Sequence, residues 1–411
     1  MPTPVVCVLT HESNPDRQQK ATSFIALAIA RSLGRRRIPV VRIHPNRLDR
    51  SLSSRYCTKV EICPDFYSSE EALVAFLLDL SARSAPQPRV LLPASDDCAY
   101  FLANHRHRLD ADYRIIGPPW SVMERLIDKR LQYESAQRLG VPIPETYFPA
   151  SVQEVERLAP SLDNYPYVIK PLVAHQWRRA SMSGVSKGKK GFQVNTAAQL
   201  IERYSQIATA DSNVMIQEVI GGRDDRLFTF LAYVNEQSVP VAYCIRKKIR
   251  QSPIDFGYCT LTVSCEDETV ERQSIRLLQG IGFQGICGVE WKLDPRTSQY
   301  KLIEINGRAV NTTAISTACG VDIPYIAVTN DVPRVRGNGP RWRSGVKWIN
   351  MAQDVWAAKE LHDAGRLGWS DYLQSIRGKR VHAVFAPDDL RPFLGYFGEF
   401  LGVAIRGLLR R

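Results

Sequence analysis

The sequence has no apolar run long enough to cross a membrane and no recognisable secretion signal at its start. A membrane-spanning helix needs about 20 apolar residues in succession, and the longest apolar runs here are far shorter. The opening residues, MPTPVVCVLTHESN, carry neither a basic start with an apolar stretch nor a small-residue cleavage site. We therefore expect a cytoplasmic protein.

The cysteines lack the spacing of a metal site or of a disulfide framework. The nine cysteines include no CxxC pair and are odd in number, whereas zinc sites and disulfide scaffolds usually show such pairs or an even count. We interpret them as reduced, mostly buried thiols and expect neither zinc nor disulfides.

Two nucleotide-binding fingerprints are also missing. The segment THESNPDRQQ follows the first predicted strand, where a dinucleotide-binding domain carries GxGxxG. The glycine-rich and lysine-rich loop at 181–191 does not match the GxxxxGK[ST] pattern either. Binding of NAD or FAD is therefore disfavoured.

What is present is a long, moderately basic chain able to bury large cores. It has 411 residues, 44% of them hydrophobic, which predicts about two to four domains. Its net charge of +12 indicates anionic partners without choosing among nucleotides, nucleic acids and lipid headgroups. We expect no nucleic-acid partner, because the cations concentrate around the candidate phosphate site described below and no nucleic-acid motif appears.

Three regions with different patterns follow one another along the chain. Up to about residue 117, strands such as VVCVL (5–9) and IPVVRI (38–43) alternate with helices, which predicts a parallel, doubly wound, Rossmann-like α/β domain. From about 118 to 330 the chain is richer in strands and indicates an α+β fold. Residues 331–411 are predicted to be mainly helical.

The most informative stretch is GVEWKLDPRTSQYKLIEINGR, residues 288–308, which we interpret as two strands joined by a turn. A hairpin centred on Thr297 puts Glu290 directly across from Glu304, with Asn306 on the same face. Opposed carboxylates repel each other unless a cation or a proton lies between them, and Mg²⁺ accepts such oxygen ligands. These residues are a candidate Mg²⁺ site, although a solvated outer face of a hairpin carries the same residue types.

Basic residues upstream offer contacts for a polyphosphate. Lys170 lies at the end of the apolar strand that contains VIKP. The loop SMSGVSKGKKG at 181–191 has the composition of a loop that covers a bound polyphosphate. An ordinary flexible basic loop has the same composition. In RKKIR, Arg246, Lys248 and Arg250 are expected to share one strand face while Lys247 points away. Such neighbouring cations repel each other on an ordinary strand.

Four elements in order make the chain resemble the ATP-grasp ligases. They are DKxxxxxxxxxxGVPIP at 128–144, VIKP at 168–171, QEVIGGRDD at 217–225, and Glu290 with EINGR at 304–308. With RSLGRRRIPVV, RYC, LLPASDD, RKKIRQSP and PDD…PF, the chain resembles the bacterial group of predicted carboxylate–amine ligases, relatives of D-aspartate ligase and of the carbamoyl-phosphate synthase large chain. The resemblance covers essentially the whole chain.

The resemblance implies a domain layout. A Rossmann-like pre-ATP-grasp domain occupies 1–117, and an ATP-grasp domain of α+β class occupies 118–330. The smaller lobe of the ATP-grasp domain lies near 145–220 and the larger lobe near 221–330. Residues 331–411 form a C-terminal, mainly helical extension.

The resemblance also implies roles for individual residues. Lys129 and Lys170 contact the phosphates and the adenine side of the nucleotide, and Asp224 takes the ribose hydroxyls. The hinge strand that reads adenine through its backbone consists of Gln217, Glu218, Val219 and Ile220. Mg²⁺ is held by Glu290, Glu304 and Asn306, while Arg308 and Arg250, with Lys248, neutralise the γ-phosphate and the acyl phosphate. Gly307 departs from the proline that many relatives carry after the motif asparagine.

Members of this family use ATP to convert a carboxylate into an acyl phosphate, from which an amine displaces phosphate to form an amide. The resemblance therefore implies an enzyme that releases ADP, with ATP and Mg²⁺ as cofactors and Mn²⁺ able to substitute. The expected partners are small-molecule carboxylate and amine substrates, an amino acid among the candidates, and a homodimer stays open. The alternatives are an ATP-grasp carboxylase, a carbamoyl-phosphate-type synthase, or a nucleotide-binding protein without turnover.

Some places leave two interpretations open. The acidic pair in Ser95, Asp96 and Asp97 could orient an amine or belong to a helix N-cap, and His11, His175 and Arg55 are weak candidates for substrate contact.

The stretch RPFLGYFGEFLGVAIRGLLRR, 391–411, has apolar residues at helical spacing and arginines near its end. It could lie on an anionic membrane surface, at the inner face of the membrane, or dock on its own domain.

Overall fold

The computed structural model describes residues 3–11, 23–47, 49–84, 87–173, 177, 191–254, 257–331 and 342–398. His175, residues 181–190 of the predicted phosphate loop and residues 399–411 lie outside the described residues.

The helices are α1 (Phe24–Gly34), α2 (Glu70–Ala82), α3 (Asp96–Asn104), α4 (Arg106–Leu109), α5 (Trp120–Ile127), α6 (Lys129–Arg138), α7 (Val152–Leu158), α8 (Ala197–Ala208), α9 (Glu268–Gly280), α10 (Ala314–Cys319), α11 (Ile323–Thr329), α12 (Met351–Asp363) and α13 (Trp369–Ser375). A further helix covers residues 391–398.

The first sheet is five-stranded and parallel, with strand order β3-β2-β1-β4-β5. Its strands are β1 (Val5–Leu9), β2 (Val40–His44), β3 (Lys59–Ile62), β4 (Arg89–Pro93) and β5 (Arg114–Ile115). Alternate residues of β1 face opposite cores: Val6 and Val8 belong to the core that includes α1, whereas Cys7 and Leu9 belong to the core that includes α2. The predicted doubly wound sheet is confirmed. Its strand order reverses between β1 and β4, where ligands bind in such sheets.

The second sheet is four-stranded and antiparallel, with strand order β6-β9-β7-β8. Its strands are β6 (Thr146–Tyr147), β7 (Tyr167–Pro171), β8 (Phe192–Val194) and β9 (Val214–Glu218). Helices α7 and α8 cover the sheet through a buried cluster that contains Val155, Leu200 and Tyr204. The antiparallel pairing brings Lys170 of β7 opposite Met215, near the start of β9.

The third sheet is seven-stranded, with strand order β14-β13-β10-β11-β12-β15-β16. Its strands are β10 (Leu227–Val234), β11 (Pro240–Ser252), β12 (Tyr258–Cys265), β13 (Gly285–Leu293), β14 (Tyr300–Asn306), β15 (Lys347–Ile349) and β16 (Arg380–His382). All neighbours are antiparallel except β15 and β16. The region predicted as a helical extension therefore also contributes two strands to this sheet, which the sequence did not indicate.

The C-terminal region is anchored to the N-terminal domain by a buried carboxylate. Asp389 has a fully buried side chain and accepts hydrogen bonds from Arg31 Nε at 2.9 Å, Ser54 Oγ at 2.7 Å and the Arg55 backbone N–H at 2.9 Å. Arg55 therefore contacts the C-terminal region. One continuous apolar core also includes residues of the N-terminal sheet, the large sheet and the C-terminal region.

The described part of the 391–411 stretch docks partly on the protein. Tyr396 donates a hydrogen bond to Asn350 Oδ1 at 3.2 Å, and its ring lies edge-on to Phe24. Leu394 and Phe397 remain 64% and 44% exposed. Every helix within the described ranges is too short or too polar to span a bilayer.

The nine cysteines are free thiols, six buried and three partly buried, which confirms the prediction that most of them are buried. Burial is the main reason that the pKa of Cys7 and of Cys63 rises to about 12. Such thiols stay protonated and poorly nucleophilic near neutral pH. Cys7 and Cys63 are therefore poor candidates for covalent chemistry.

Candidate active site

The predicted pair of glutamates lies on neighbouring strands of the large sheet. β13 and β14 pair antiparallel with Glu290 directly opposite Glu304 and Asn306 opposite Gly288, so the predicted register is confirmed. The turn closes where the Ser298 backbone N–H donates to the Asp294 carbonyl at 2.8 Å. Directly paired and alternate residues of a strand pair share a face, so both carboxylates and the Asn306 amide project to the same side.

The cation of Lys129 lies close to this pair. Lys129 begins α6 and places its Nζ 3.8 Å from Glu304 Oε1, while Glu290 forms no ion pair within the described residues. Burial alone would lower the pKa of Lys129, but Glu304, followed by Tyr133, Asp96 and Glu290, raises it above the usual value. Lys129 is therefore a fixed cation beside two opposed carboxylates.

The donor groups fit a hard divalent cation. Two carboxylates and a primary amide supply the oxygen ligands that Mg²⁺ takes, and Mg²⁺ usually keeps several positions for water or phosphate. The side chain of Glu304 is 43% exposed, which leaves such positions accessible. No group of three or more histidine, cysteine, aspartate or glutamate side chains that could hold a metal occurs in the part of the chain that the structure describes. A metal here would depend on the Asn306 amide or on ligand oxygens.

The predicted phosphate and hinge residues meet on the small sheet. Lys170 donates through Nζ to Gln217 Oε1 at 3.2 Å, and Gln217 donates in turn to Thr146 Oγ1 at 3.0 Å. Both residues lie on adjacent antiparallel strands, β7 and β9. The structure therefore brings together Lys170 and the start of the predicted hinge.

Glu218, at the centre of the predicted hinge strand, has an ion-paired side chain. Its carboxylate is buried and ion-paired with Arg296 and Lys301 of the β13–β14 hairpin, and it accepts the Glu145 backbone N–H at 2.9 Å. The backbone N–H groups of Glu218 and Val219 donate to the carbonyls of Glu145 and Pro166. The side chain of Glu218 thus ties the hinge strand to the hairpin, and Ile220 is buried beyond it.

Asp294 completes this ion cluster. It accepts hydrogen bonds from the Arg296 backbone N–H and side chain, and Lys301 Nζ lies 3.0 Å away. Burial alone would raise the pKa of Asp294, but these hydrogen bonds and charges lower it to about 2. Arg296 and Lys301 were not predicted from the sequence, because surface-type Arg and Lys in a hairpin give no local sign of a distant partner.

Asp224 and Lys248 are connected through a glutamine. Asp224 begins a short 3₁₀ helix and accepts a hydrogen bond from Gln251 Nε2 at 2.8 Å. Lys248 Nζ donates to the Oε1 atom of the same Gln251 at 3.0 Å. Gln251 therefore positions two predicted site residues relative to each other, although no motif pointed to it.

Arg250 lies elsewhere than expected. Its guanidinium donates to both carboxylate oxygens of Asp354, at 3.0 and 2.8 Å, and to Ser375 Oγ at 2.8 Å. Arg250 is 3% exposed, and the register of β11 against β12 shifts between Lys248 and Arg250. The expected common face of Arg246, Lys248 and Arg250 is therefore interrupted by a β-bulge, and Arg250 is held by the C-terminal region.

Arg308 joins the hairpin to the N-terminal domain. Its Nε and Nη2 donate to the two carboxylate oxygens of Asp96, both at 2.8 Å. Ser95, just before Asp96, caps α3 by accepting the Cys98 backbone N–H at 3.3 Å. Since Ser95 supplies the cap, Asp96 can pair with Arg308. This contact places the predicted phosphate arginine at the carboxyl end of β4, beside the crevice of the parallel sheet.

His11 has a partner within its own domain. Its Nε2 lies 2.9 Å from Asp65 Oδ1, and its ring packs edge-on against Phe66 and Tyr67. No described contact joins His11 to the glutamate pair.

The family model described as "Carbamoyl-phosphate synthase L chain, ATP binding domain" matches residues 128–330. A D-aspartate ligase from Enterococcus faecium (strain Aus0004) is 24% identical over 296 residues, covering 69% of each protein. A carbamoyl phosphate synthase large chain from Thermomicrobium roseum is 24% identical over 221 residues, which are 52% of this chain and 19% of that protein. The chain thus spans about a fifth of that synthase subunit.

Solved structures show the same fold at low sequence identity. The biotin carboxylase domain of Hydrogenobacter thermophilus 2-oxoglutarate carboxylase, solved with MgADP and bicarbonate, has a TM-score of 0.59 and 18% identity, covering 83% of this chain and 73% of that one. An L-amino acid ligase from Bacillus licheniformis has a TM-score of 0.57 and 13% identity, covering 81% of this chain and 75% of that one. At these identities the likeness concerns the fold.

Proposed function

The chain belongs to the ATP-grasp ligases, and from this premise we propose that it is an ADP-forming carboxylate–amine ligase. A carboxylate oxygen of the acid attacks the γ-phosphorus of ATP, and the bond from that phosphorus to ADP breaks. The amine nitrogen then attacks the acyl carbon, phosphate leaves, and the nitrogen loses a proton. The product is an amide or a peptide bond.

The observation that carries the proposal is the cross-strand pair Glu290 and Glu304 with Asn306 on the same face. Mg²⁺ bound there would neutralise the triphosphate and orient its terminal phosphate. Lys129 stands beside Glu304 and supplies a fixed positive charge to the same region. Lys170, next to Gln217, is placed to meet the nucleotide from the small sheet.

The remaining roles follow from charge and position. Arg308, seated against Asp96, would turn toward the acyl phosphate at the border between the N-terminal domain and the hairpin. Lys248 would face the same anion, and Asp224, Gln217, Val219 and Ile220 would contact the ribose and adenine. Arg250 would act through Asp354 in the position found here, by holding β11 in place.

We propose the domain layout on the same basis. The five-stranded sheet lies within 1–117, the pre-ATP-grasp domain, and the four-stranded sheet lies within 145–220, the smaller lobe. The larger lobe begins near 221, and its sheet continues through β15 and β16 into the 331–411 region. The ATP-grasp domain as a whole occupies 118–330 and borrows these two C-terminal strands.

The similar proteins also suggest which substrates the enzyme uses. Two of the similar proteins are named as ligases of amino acids, which supports an amino acid as one substrate. A carboxylase or a carbamoyl-phosphate-type synthase is the second candidate, favoured by the match to the ATP-binding domain of the carbamoyl-phosphate synthase large chain. Four further properties stay predictions: Mn²⁺ in place of Mg²⁺, a homodimer, a cytoplasmic location, and membrane contact through 391–411.

The decisive experiment is a screen of ATP-dependent phosphate release over a panel of amino acids and carboxylic acids, with the nucleotide product identified. We expect ADP and an amide, whereas AMP as product would contradict an acyl-phosphate mechanism. Carbamoyl phosphate formed from bicarbonate would favour the second candidate.

Substitution of Glu304 tests whether the glutamate pair binds the metal. Glu304→Gln should lower the rate by about 100-fold or more, as expected for loss of a charge that stabilises the transition state. The matched control is Glu360→Gln, which makes the same change at an exposed position of α12 and should keep the wild-type rate. Full activity of Glu304→Gln would remove the metal assignment.

A further inference from the structure

The helix at 391–398 presents a stripe of apolar side chains to solvent. Leu390, Leu394 and Phe397 are 46%, 64% and 44% exposed. The Leu394 backbone N–H donates to the Leu390 carbonyl at 3.0 Å, so the helical spacing begins at Leu390. Residues that are four and three positions apart lie on one side of a helix. These three side chains, called the outer stripe below, therefore form one face, and a contiguous exposed apolar face is typical of a protein or membrane contact.

The opposite side of the same helix is occupied by the protein itself. Phe393 and Tyr396 pack against the main apolar core, and Tyr396 is held by its hydrogen bond to Asn350. The ring of Phe397 stacks on that of Phe393 with 5.6 Å between the ring centroids, which keeps the outer stripe in place. The two interpretations of the 391–411 stretch therefore concern different faces, of which one docks on the protein and the other stays exposed.

The acidic residues just before this helix are already paired with arginines. Asp388 lies 2.8 Å from Arg35, and Asp389 lies 2.9 Å from Arg31. Arg391, at the start of the helix, is exposed. The negative charges of the segment are therefore neutralised by the N-terminal domain, and the exposed arginine beside the outer stripe adds a positive charge.

Two further arginines of the N-terminal domain lie against the same segment. Arg55 is exposed and donates to the Asp388 carbonyl at 3.3 Å. The Cδ atom of Arg50 lies only 3.0 Å from the position that a Cβ atom on Gly395 would take, so glycine at 395 makes room for this side chain. Counting the two ion pairs, the residues in contact here include five arginines and two aspartates. An anionic surface is the electrostatic complement of such a segment.

The sequence after the helix continues both features. Leu401, Ala404 and Leu408 keep the spacing of three and four residues, and residues 399–411 contain three arginines and one glutamate. Apolar residues at helical spacing beside arginines are typical of segments that lie at the surface of an anionic bilayer.

The same charges argue against a second copy of the chain as the occupant of the outer stripe. In a two-fold symmetric dimer the same patch lies on both sides of the interface. The arginines around the stripe would then approach the arginines of the partner, and like charges across an interface disfavour association. A lipid surface that carries negative phosphate groups has no such conflict.

We propose that the outer stripe inserts into the headgroup boundary of an anionic lipid bilayer, with the surrounding arginines near the lipid phosphates. The inner side of the helix stays docked on the protein, so membrane contact needs no rearrangement of the described fold. The inference does not depend on the ligase reaction, and its failure would leave the proposed function untouched.

The experiment is co-sedimentation of the full chain with vesicles of phosphatidylcholine, either alone or mixed with phosphatidylglycerol, at low and at high salt. The test variant carries Leu390→Ser and Leu394→Ser. The matched control carries Val355→Ser and Leu373→Ser, which remove side chains that are 42% and 53% exposed on α12 and α13. Sedimentation velocity gives the oligomeric state of each protein, and thermal unfolding without lipid gives its stability.

We expect the wild type to bind the mixed vesicles and not the phosphatidylcholine vesicles, and to bind less at high salt because ions screen the attraction. The test variant should bind the mixed vesicles about tenfold more weakly or less still, since two large apolar side chains no longer leave water. Its unfolding temperature should not fall, because the replaced side chains are exposed. The control should match the wild type in every measurement.

Each other result contradicts the proposal in its own way. A wild type that does not sediment with the mixed vesicles has no membrane face, and binding that ignores lipid charge or salt removes the role of the arginines. Equal weakening in the control assigns binding to general surface hydrophobicity. A wild-type dimer that the test variant converts to a monomer makes the stripe an interface between copies, and a lower unfolding temperature of the test variant means that the stripe packs on its own chain.

Discussion

At the scale of single residues, the site is organised by charges that do not balance locally. Glu290 and Glu304 oppose each other with Lys129 nearby, and Arg246 is buried with no carboxylate partner among the residues that the structure describes. Each arrangement weakens the ligand-free fold, because like charges repel and buried charges lose their hydration. Such unfavourable terms are expected where a ligand supplies the missing charge.

The glutamate pair makes a prediction about stability. Glu290→Gln keeps the size of the side chain and removes one of two opposed charges. In buffer with EDTA we expect the free energy of unfolding to stay unchanged or to rise by up to about 1 kcal/mol. The stabilisation that Mg·ADP adds should be smaller than in the wild type, because ligand affinity sets that increment. Thermal unfolding under both conditions measures the two effects, and a loss of more than about 1 kcal/mol in EDTA would mark Glu290 as structural.

At the scale of elements, the β13–β14 hairpin is tied to the hinge strand β9 by an ion cluster. Glu218 of β9 and Asp294 of the hairpin turn share Arg296 and Lys301. Burial alone would raise the pKa of Glu218, but Lys301, the Glu145 backbone N–H and Arg296 lower it. The cluster ties the small sheet to the hairpin that carries Glu290 and Glu304.

This cluster predicts an acid-sensitive step in stability. The folded-state pKa of Asp294 is lowered from 3.8 to about 2, so its contribution is fully present above about pH 4 and is lost as the pH falls toward 2. The contribution is about 2 kcal/mol. Asp294→Asn should therefore lose stability at neutral pH and show a flatter decline between pH 4 and pH 2 in urea unfolding.

The control for this prediction is Asp163→Asn at an exposed position, which should leave the wild-type pH profile intact. An Asp294→Asn profile parallel to that of the wild type over the same pH range would contradict the assignment of the acid-sensitive step to Asp294.

At the scale of the whole molecule, the C-terminal region joins the domains together. It adds β15 and β16 to the large sheet, holds Arg250 through Asp354, and inserts Asp389 between Arg31 and Ser54 of the N-terminal domain. A carboxylate with every oxygen engaged in a buried setting is costly to disturb.

Substitutions of two neighbouring aspartates test the contact between Asp389 and the N-terminal domain. Asp389→Ala leaves Arg31 buried without its partner, and we expect a loss of about 3–5 kcal/mol in the free energy of unfolding. Asp388 pairs with Arg35 in a half-exposed setting, so Asp388→Asn should cost about 1 kcal/mol or less. Denaturant unfolding of both variants measures the difference. Equal losses in the free energy of unfolding would contradict a special role of Asp389 in joining the domains.

The sequence was sufficient for features that depend on neighbours along the chain. Strand alternation identified the parallel sheet, and the two-residue period with a turn at Thr297 placed Glu290 opposite Glu304, because the register of a hairpin follows from its own residues. The ordered motifs pointed to the ATP-grasp group.

Features that depend on residues distant in the chain required the fold. Arg250 meets Asp354, Arg308 meets Asp96, and Glu218 meets Lys301 across separations of 104, 212 and 83 residues. No local pattern encodes which distant carboxylate a buried cation will find, and a single bulge in β11 changes the direction of every later side chain. The same reason explains Arg246: its charge is visible in the sequence, but only the cross-strand pairing of four neighbouring strands places it in line with the two glutamates.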